Sequence, residues 1–152
     1  MKLLCEKLNG RNGHDAGLAL LEKLCGAPLP EIRRTPLGKP YFGEGNLHFS
    51  ISHTKNYVFC ALSEHPIGID AEELDRQIDL RLADKILSPA ERVRYAAAAD
   101  PRQALLRFWV LKEAAAKCSG LGLQGYPNHT DFSADDPRIQ ILCGCLVAVI
   151  ED

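Results

Sequence analysis

The sequence has little of several features that mark specialised proteins. Its formal net charge is only −2 over 152 residues, so no excess of basic residues is present to attract nucleic acid. No apolar run approaches the ~20 residues that cross a bilayer. The opening MKLLCEKLNG carries one lysine before a short apolar run that Glu6 ends, unlike a signal peptide. We therefore expect a cytoplasmic protein without a nucleic-acid or membrane partner.

Cysteines at metal-binding spacing are also absent. No C-x-x-C occurs, and most of the six cysteines sit beside apolar residues, so we interpret them as reduced thiols, with a disulfide or a zinc site as alternatives. They are Cys5, Cys25, Cys60, Cys118, Cys143 and Cys145. The hydrophobic fraction of 46% and charged fraction of 25% are those of an ordinary globular chain, which predicts one domain over residues 1–152.

The first part of the chain predicts strands around one helix. Residues 2–7 are a strand candidate, and 13–25 place leucines on one helical face until Gly26 ends the helix. The Pro- and Gly-rich stretch 28–46 predicts an extended loop with one short strand. Next come strand candidates at 47–52, 57–63 and 67–72, the first two joined by a hairpin turn at Lys55-Asn56.

The second part begins with helix signals. Ser88-Pro-Ala-Glu is a capping box with proline at the first helical position, and Asp100-Pro-Arg-Gln repeats the device. The second helix should run from 101 to 118 and stop at Gly120. Strands are then predicted at 129–133 and within 139–150, the latter as a hairpin or a strand bulged at Gly144. The order predicts an α+β fold of two halves, approximately 1–65 and 66–152.

Three acidic residues form a candidate metal site. Asp70 and Glu72 lie two apart on a strand and project to one face, while Glu113 shares a helix face with Lys117 one turn away. Such oxygen donors suit Mg²⁺, which commonly takes its other ligands from substrate phosphates. The plainer interpretation is a solvated strand end and an ordinary intrahelical ion pair.

Upstream polar residues could bind a phosphorylated ligand. Lys39 lies in a G-K-P segment, and Ser52-His53 ends a predicted strand, where free backbone N–H groups also attract anions. A turn histidine and a solvated loop lysine are the plainer alternatives for these residues. Arg33 and Arg34 could grip phosphate or be surface charge, and the sequence does not decide between these roles.

These segments together resemble the 4'-phosphopantetheinyl transferase superfamily, in its Sfp-type form. The resemblance rests on GKPYF (38–42), LHFSISHT (47–54), IGIDAEE (67–73) and FWVLKEAAAK followed by CSGLGL (108–123), and it covers roughly 13–133. It implies a holo-acyl-carrier-protein synthase that moves the 4'-phosphopantetheine arm of coenzyme A onto a serine of an apo acyl or peptidyl carrier protein. The reaction would need Mg²⁺ and release adenosine 3',5'-bisphosphate.

The resemblance also implies residue roles. Asp70, Glu72 and Glu113 match the acidic metal positions, with Glu113 as the candidate base. Lys117 matches the motif lysine that acts on the phosphates. Carried over in the same way, the residues expected at the nucleotide's 3'-phosphate are Lys39, Ser52 and His53.

The same resemblance implies two pseudo-symmetric halves with the active site in the groove between them, and a monomer. It suggests carrier docking on the segment 75–95, whose ordinary role would be a packed helix pair. Two departures, Ser50 where asparagine is usual and Ala116 where an aromatic is frequent, bear on substrate affinity and carrier choice.

Two other functions compete with this interpretation. One is a Mg²⁺-dependent hydrolase of nucleotides or coenzyme A, although the Gly-rich phosphate loop that such enzymes often use is absent. The other is a non-catalytic module that binds coenzyme A or a carrier, against which the intact acidic residues argue.

Overall fold

A computed structural model describes residues 1–26, 28–122 and 130–152. Within those ranges it contains three small sheets and four helices, which confirms the predicted mixed class. The strands are β1 (Lys2–Lys7), β2 (Ile32–Arg34), β3 (Pro40–Phe42), β4 (His48–His53), β5 (Tyr57–Ser63), β6 (Ile67–Glu73), β7 (Ile139–Leu142) and β8 (Cys145–Glu151). The helices are α1 (Gly13–Cys25), α2 (Ala83–Ile86), α3 (Pro89–Ala96) and α4 (Pro101–Ser119), with a 3-10 turn at Leu80–Leu82.

The first antiparallel sheet has the strand order β1-β5-β4, with α1 packed against it. Leu20 and Leu21 of α1 share a core with Val58 and Cys60 of β5. Phe59, which points to the other face of β5, packs in a second core with residues of β6 and β8. Because β5 is buried on both faces, its sequence is a nearly continuous apolar run instead of an alternating one.

The second antiparallel sheet has the order β6-β8-β7 and carries α4 on one face. Leu105 and Leu111 of α4 pack with Leu146 of β8. The predicted C-terminal hairpin is confirmed, since β7 and β8 pair through a turn at Cys143 and Gly144. Both turn residues have positive φ, 54° and 74°, as a two-residue turn that matches strand twist requires.

Two serine side chains join the first sheet to the second. Ser50 Oγ of β4 accepts a hydrogen bond from Ile69 N of β6 at 3.1 Å, and Ser52 Oγ accepts one from Ala71 N at 3.2 Å. Both serines are buried, at 6% exposure. These bonds satisfy backbone donors of β6 and hold the strand that carries Asp70 beside the strand that ends at His53.

The predicted helix ends are confirmed, with one difference in detail. Ser88 and Glu91 form the full capping box, and Gly26 and Gly120 end α1 and α4 in the left-handed conformation. At α4, Asp100 accepts from Gln103 N as predicted. The Gln103 side chain instead donates to Leu74 O at 2.8 Å, because the loop after β6 lies within its reach.

Two local predictions were wrong, and two short elements were missed. The 28–46 stretch contains two short strands, β2 and β3, paired as a hairpin. The 3-10 turn and α2 before Ser88 were not predicted. Residues 130–133 are not a strand, whereas position 129 of that predicted segment lies outside the described residues. Phe132 N donates instead to the Glu91 carboxylate at 2.8 Å, so a buried side chain replaces a strand partner.

The prediction of six reduced cysteines was also wrong. Cys5 on β1 and Cys143 in the β7–β8 turn form a disulfide, and the other four cysteines are free thiols. The bonded residues lie 138 positions apart, and only the packing of one sheet beside the other brings them together. Among the residues that the structure describes, no helix is long and apolar enough to cross a membrane.

Candidate active site

A cavity of about 410 Å³ lies where β4 and the β2–β3 hairpin face the C-terminal half of α4. Its wall combines apolar side chains such as Leu18 and Phe49 with charged ones, a mixture typical of ligand sites. The predicted site residues on this wall are Lys39, His53, Glu113 and Lys117. Ser52, Asp70 and Glu72 do not line it.

Close contact between β6 and α4 positions the acidic residues. Gly68 of β6 packs directly on the helix backbone, and a Cβ added there would lie 1.9 Å from Ala114 O and 2.4 Å from Cys118 N. Only glycine permits this approach. It sets Asp70, two residues along the strand, beside the turn of α4 that carries Glu113 and Lys117.

Asp70 links the two segments through one oxygen. Its Oδ1 accepts from Lys117 Nζ at 2.7 Å and from Ser52 Oγ at 3.1 Å. Its Oδ2 is buried and has no hydrogen-bond partner among the described residues. A buried carboxylate oxygen without a donor is costly, so Oδ2 is suited to receive a cation.

Glu113 faces the same cavity without an ion-pair partner in the described part of the chain. Burial raises the pKa of its carboxyl above the ordinary value, and the negative charge of Asp70 raises it further. The charges of Lys117 and Arg76 act in the opposite direction but are smaller causes. A carboxyl with a raised pKa is a better proton acceptor at neutral pH than an ordinary one.

Glu72 is held by other side chains. Its Oε1 accepts from Trp109 Nε1 at 3.3 Å and forms an ion pair with Arg76. The Arg76 guanidinium also lies 5.8 Å from the centre of the Trp109 ring. Sequence reasoning missed Arg76, because its four-residue spacing from Glu72 carries no meaning outside a helix.

Lys39 reaches the far end of α4. Its Nζ donates to Cys118 O in the last turn of that helix, where a cation also complements the helix dipole. Burial lowers the pKa of Lys39.

The His53 ring packs against Gly13 at the start of α1, where a Cβ would lie 2.7 Å from the ring carbons. The cavity wall also contains the imidazole of His14 and the guanidinium of Arg34. Sequence reasoning missed His14, although the Asn12 cap that starts α1 determines where this residue lies.

The arrangement fits a divalent cation only in part. Asp70 Oδ2 and Glu113 are two oxygen donors without protein partners in the part of the chain that the structure describes, and Mg²⁺ commonly uses one or two carboxylates plus water and phosphate oxygens. No group of three or more His, Cys, Asp or Glu side chains within the described ranges is arranged to hold a metal. The third acidic residue, Glu72, is engaged by Arg76.

Comparison with known proteins establishes the family. The model of the 4'-phosphopantetheinyl transferase superfamily matches residues 66–144, which is more than half of the chain. The matched segment begins just before β6, includes all of α4, and so contains every acidic residue of the site. The chain therefore belongs to the 4'-phosphopantetheinyl transferase superfamily.

Individual relatives agree with that assignment. The chain is 34% identical over 94 residues to the 4'-phosphopantetheinyl transferase gsp of Aneurinibacillus migulanus, covering 60% of this chain and 39% of the relative. It is 35% identical over 103 residues to psf-1 of Bacillus pumilus, covering 65% and 44%. A putative 4'-phosphopantetheinyl transferase of Haemophilus influenzae is 31% identical over 111 residues, covering 70% and 47%. The chain thus spans less than half the length of these relatives.

Proposed function

We propose that the protein transfers the 4'-phosphopantetheine arm of coenzyme A to a serine of an apo acyl or peptidyl carrier protein and releases adenosine 3',5'-bisphosphate. The observation that carries the proposal is the combination of two carboxylates beside Lys117: Asp70, whose buried Oδ2 has no donor among the described residues, and Glu113, which has no ion-pair partner among them. Relatives that carry the name 4'-phosphopantetheinyl transferase supply the reaction class.

Coenzyme A would occupy the cavity on the α1 side of α4. His53, next to the start of α1, would contact the 3'-phosphate, and His14 and Arg34 border the same space. Lys39 would act from the end of α4, where its Nζ donates to Cys118 O. Because the Ser52 hydroxyl is buried against Asp70 and Ala71, we assign Ser52 to holding β6 and Asp70 in place.

Asp70 and Glu113 would hold Mg²⁺, with Glu72 as the third acidic residue near it. When bound, the ion would neutralise charge on the pyrophosphate oxygens. The carrier serine Oγ attacks the phosphorus that bears the pantetheine arm, and its proton passes to the Glu113 carboxylate. The bond from that phosphorus to the bridging oxygen breaks, and its electron pair leaves with adenosine 3',5'-bisphosphate. Lys117 then donates toward the phosphate oxygens from its position beside Asp70.

We further propose that residues 1–152 form one domain of two pseudo-symmetric halves, 1–65 and 66–152, with the site in the groove between them. Each main sheet follows the order first strand, last strand, middle strand, and each packs a long helix on one face. A single chain supplies both walls of the cavity, which supports a monomer as the working form, and we keep the cytoplasm as the proposed location. The carrier would dock on the segment 75–95, where Leu80 and Val93 are 49% and 72% exposed.

The test is direct modification of a carrier. The protein is incubated with Mg²⁺, coenzyme A and a panel of apo carrier proteins, and intact mass spectrometry detects the added arm. We expect transfer with the unaltered protein, none with Asp70→Ala or Glu113→Ala, and normal transfer with Glu44→Gln, an exposed carboxylate outside the cavity. Hydrolysis of coenzyme A without carrier modification would favour the hydrolase alternative. Full transfer by either alanine variant would contradict the assigned roles.

A further inference from the structure

Arg76 is a cation built into the acidic site. It follows β6 in a loop that α4 holds in place, since Arg102 Nη1 donates to Leu74 O at 3.0 Å and to Arg76 O at 3.2 Å. The Arg76 side chain then lies over the Trp109 ring and forms an ion pair with Glu72. α4 therefore holds the backbone of Arg76 in place and supplies the Trp109 ring beneath its side chain, so the contact with Glu72 is more than a chance surface pair.

The three carboxylates of the site differ in how many side chains contact them. Lys117 binds Asp70 through one oxygen only, and Glu113 has no ion pair in the described ranges. Glu72, by contrast, receives both Trp109 Nε1 and the Arg76 guanidinium on the same oxygen. The charge of Arg76 also reaches Glu113, whose pKa it lowers. The site without metal thus carries a second positive charge at Glu72, in addition to Lys117 at Asp70.

We propose that Arg76 competes with the divalent cation for Glu72 and thereby sets how tightly the protein binds metal before coenzyme A arrives. The inference rests on the proposed function and concerns a positioning residue. Arg76 and Trp109 both contact Oε1 of Glu72, so a metal ion bound to this carboxylate would lie close to the guanidinium and be repelled by it. The Arg76 side chain is 38% exposed and can turn into solvent without burying its charge. The Glu72 side chain is only 17% exposed and would remain in the site.

Competition of this kind makes metal binding depend on the substrate. In the free protein Asp70 Oδ2 and Glu113 would bind the ion weakly, because the charge of Arg76 beside the third carboxylate opposes a second cation there. Pyrophosphate oxygens of coenzyme A would add ligands and favour release of Arg76 from Glu72. Removal of Arg76 should therefore strengthen metal binding without coenzyme A by about tenfold, the factor that about 1.4 kcal/mol represents.

Metal affinity itself provides the test. Mn²⁺ binding to the full chain is measured by calorimetry and by electron paramagnetic resonance, without coenzyme A. The proteins compared are the unaltered chain, Arg76→Gln, Arg76→Lys, and Arg81→Gln as a control that removes the same charge from an exposed arginine paired with Asp79. We expect about tenfold tighter binding for Arg76→Gln, a smaller gain for Arg76→Lys and no change for Arg81→Gln.

A double variant separates competition at Glu72 from a general charge effect. If Arg76 acts through Glu72, Arg76→Gln should give little gain in a Glu72→Gln background. An equal gain in both backgrounds, or no gain for Arg76→Gln alone, would overturn the inference while leaving the transferase proposal intact. Absence of Mn²⁺ binding to every protein would overturn the inference, and binding that survives Asp70→Asn unchanged would overturn both. Thermal denaturation of each variant checks that it is folded.

Discussion

Replacement of Gly68 by alanine tests whether contact between β6 and α4 builds the site. Gly68 is the glycine of the G-I-D segment, and its Cα faces the backbone of α4. A Cβ in that position would lie 1.9 Å from Ala114 O and 2.4 Å from Cys118 N. Both atoms belong to a helix backbone that is hydrogen-bonded and covered by the core, so neither can rotate aside as a side chain would. The strand and the helix must therefore separate.

The size of the separation follows from these distances. The contact with Ala114 O must lengthen from 1.9 Å to at least 3.0 Å, the lower limit of real Cβ contacts. Overpacking of a core typically costs about 1–3 kcal/mol, and the rigid obstacle here favours about 3 kcal/mol or more. That loss corresponds to a fall in Tm of about 6–12 °C for a chain of this size. A shift of about 1 Å between Asp70 and Glu113 should also lower the transfer rate by about 100-fold.

The matched control is Gly43→Ala. Its added Cβ would meet only the Arg33 side chain, with Nε at 2.8 Å, and that side chain is half exposed and free to move. Urea and thermal denaturation measure stability, and carrier modification well below the Tm measures transfer. We expect Gly68→Ala to lose both while Gly43→Ala keeps both. Equal stability and equal activity of the two variants would refute the close-contact argument.

Three further predictions concern stability. Glu113→Gln should raise the urea midpoint at neutral pH while abolishing transfer, because burial and Asp70 raise the pKa of Glu113 in the folded state. The gain in urea midpoint should grow as pH rises above about 4.5 and vanish below it, and a gain that persists in acid would contradict this cause. Glu91→Gln should lower the free energy of unfolding by about 3 kcal/mol, because the Lys112 side chain is only 1% exposed and would lose the carboxylate that lies 2.9 Å from its Nζ. A loss under about 1 kcal/mol in denaturant unfolding would show that this ion pair is dispensable. Cys5→Ser should lower the free energy of unfolding by about 2–4 kcal/mol through loss of the disulfide, and reductant should then have no further effect on the Tm of the variant.

Local elements were predictable because their signals lie within a few residues. The alternation of β4, the leucine face of α1 and the proline-led caps of α3 and α4 each depend on neighbours in the chain. Failures occurred where a distant partner decides the conformation. Residues 130–133 have the composition of a strand, but Phe132 N is bound by Glu91, 41 positions away. The pattern of the segment contains no information about that carboxylate.

One role of Glu91 could be predicted from the sequence, and its other contacts could not. Its place in the capping box follows from its spacing to Ser88. The same carboxylate also pairs with Lys112 of α4 and receives Phe132 N, so it joins three segments in a fully buried position. Local spacing identified the cap, and packing added the other two partners.

The sequence by itself determined which residue types could do chemistry here and on which local elements they lie: three carboxylates and a lysine, on one strand and one helix. Only the tertiary structure decided which oxygens remain available. Lys117 takes one oxygen of Asp70 across 47 positions and leaves the other without a partner among the described residues, while Arg76 and Trp109 contact one oxygen of Glu72. The physical reason is that periodicity records which face of an element is buried, whereas ion pairing depends on which elements meet at that face.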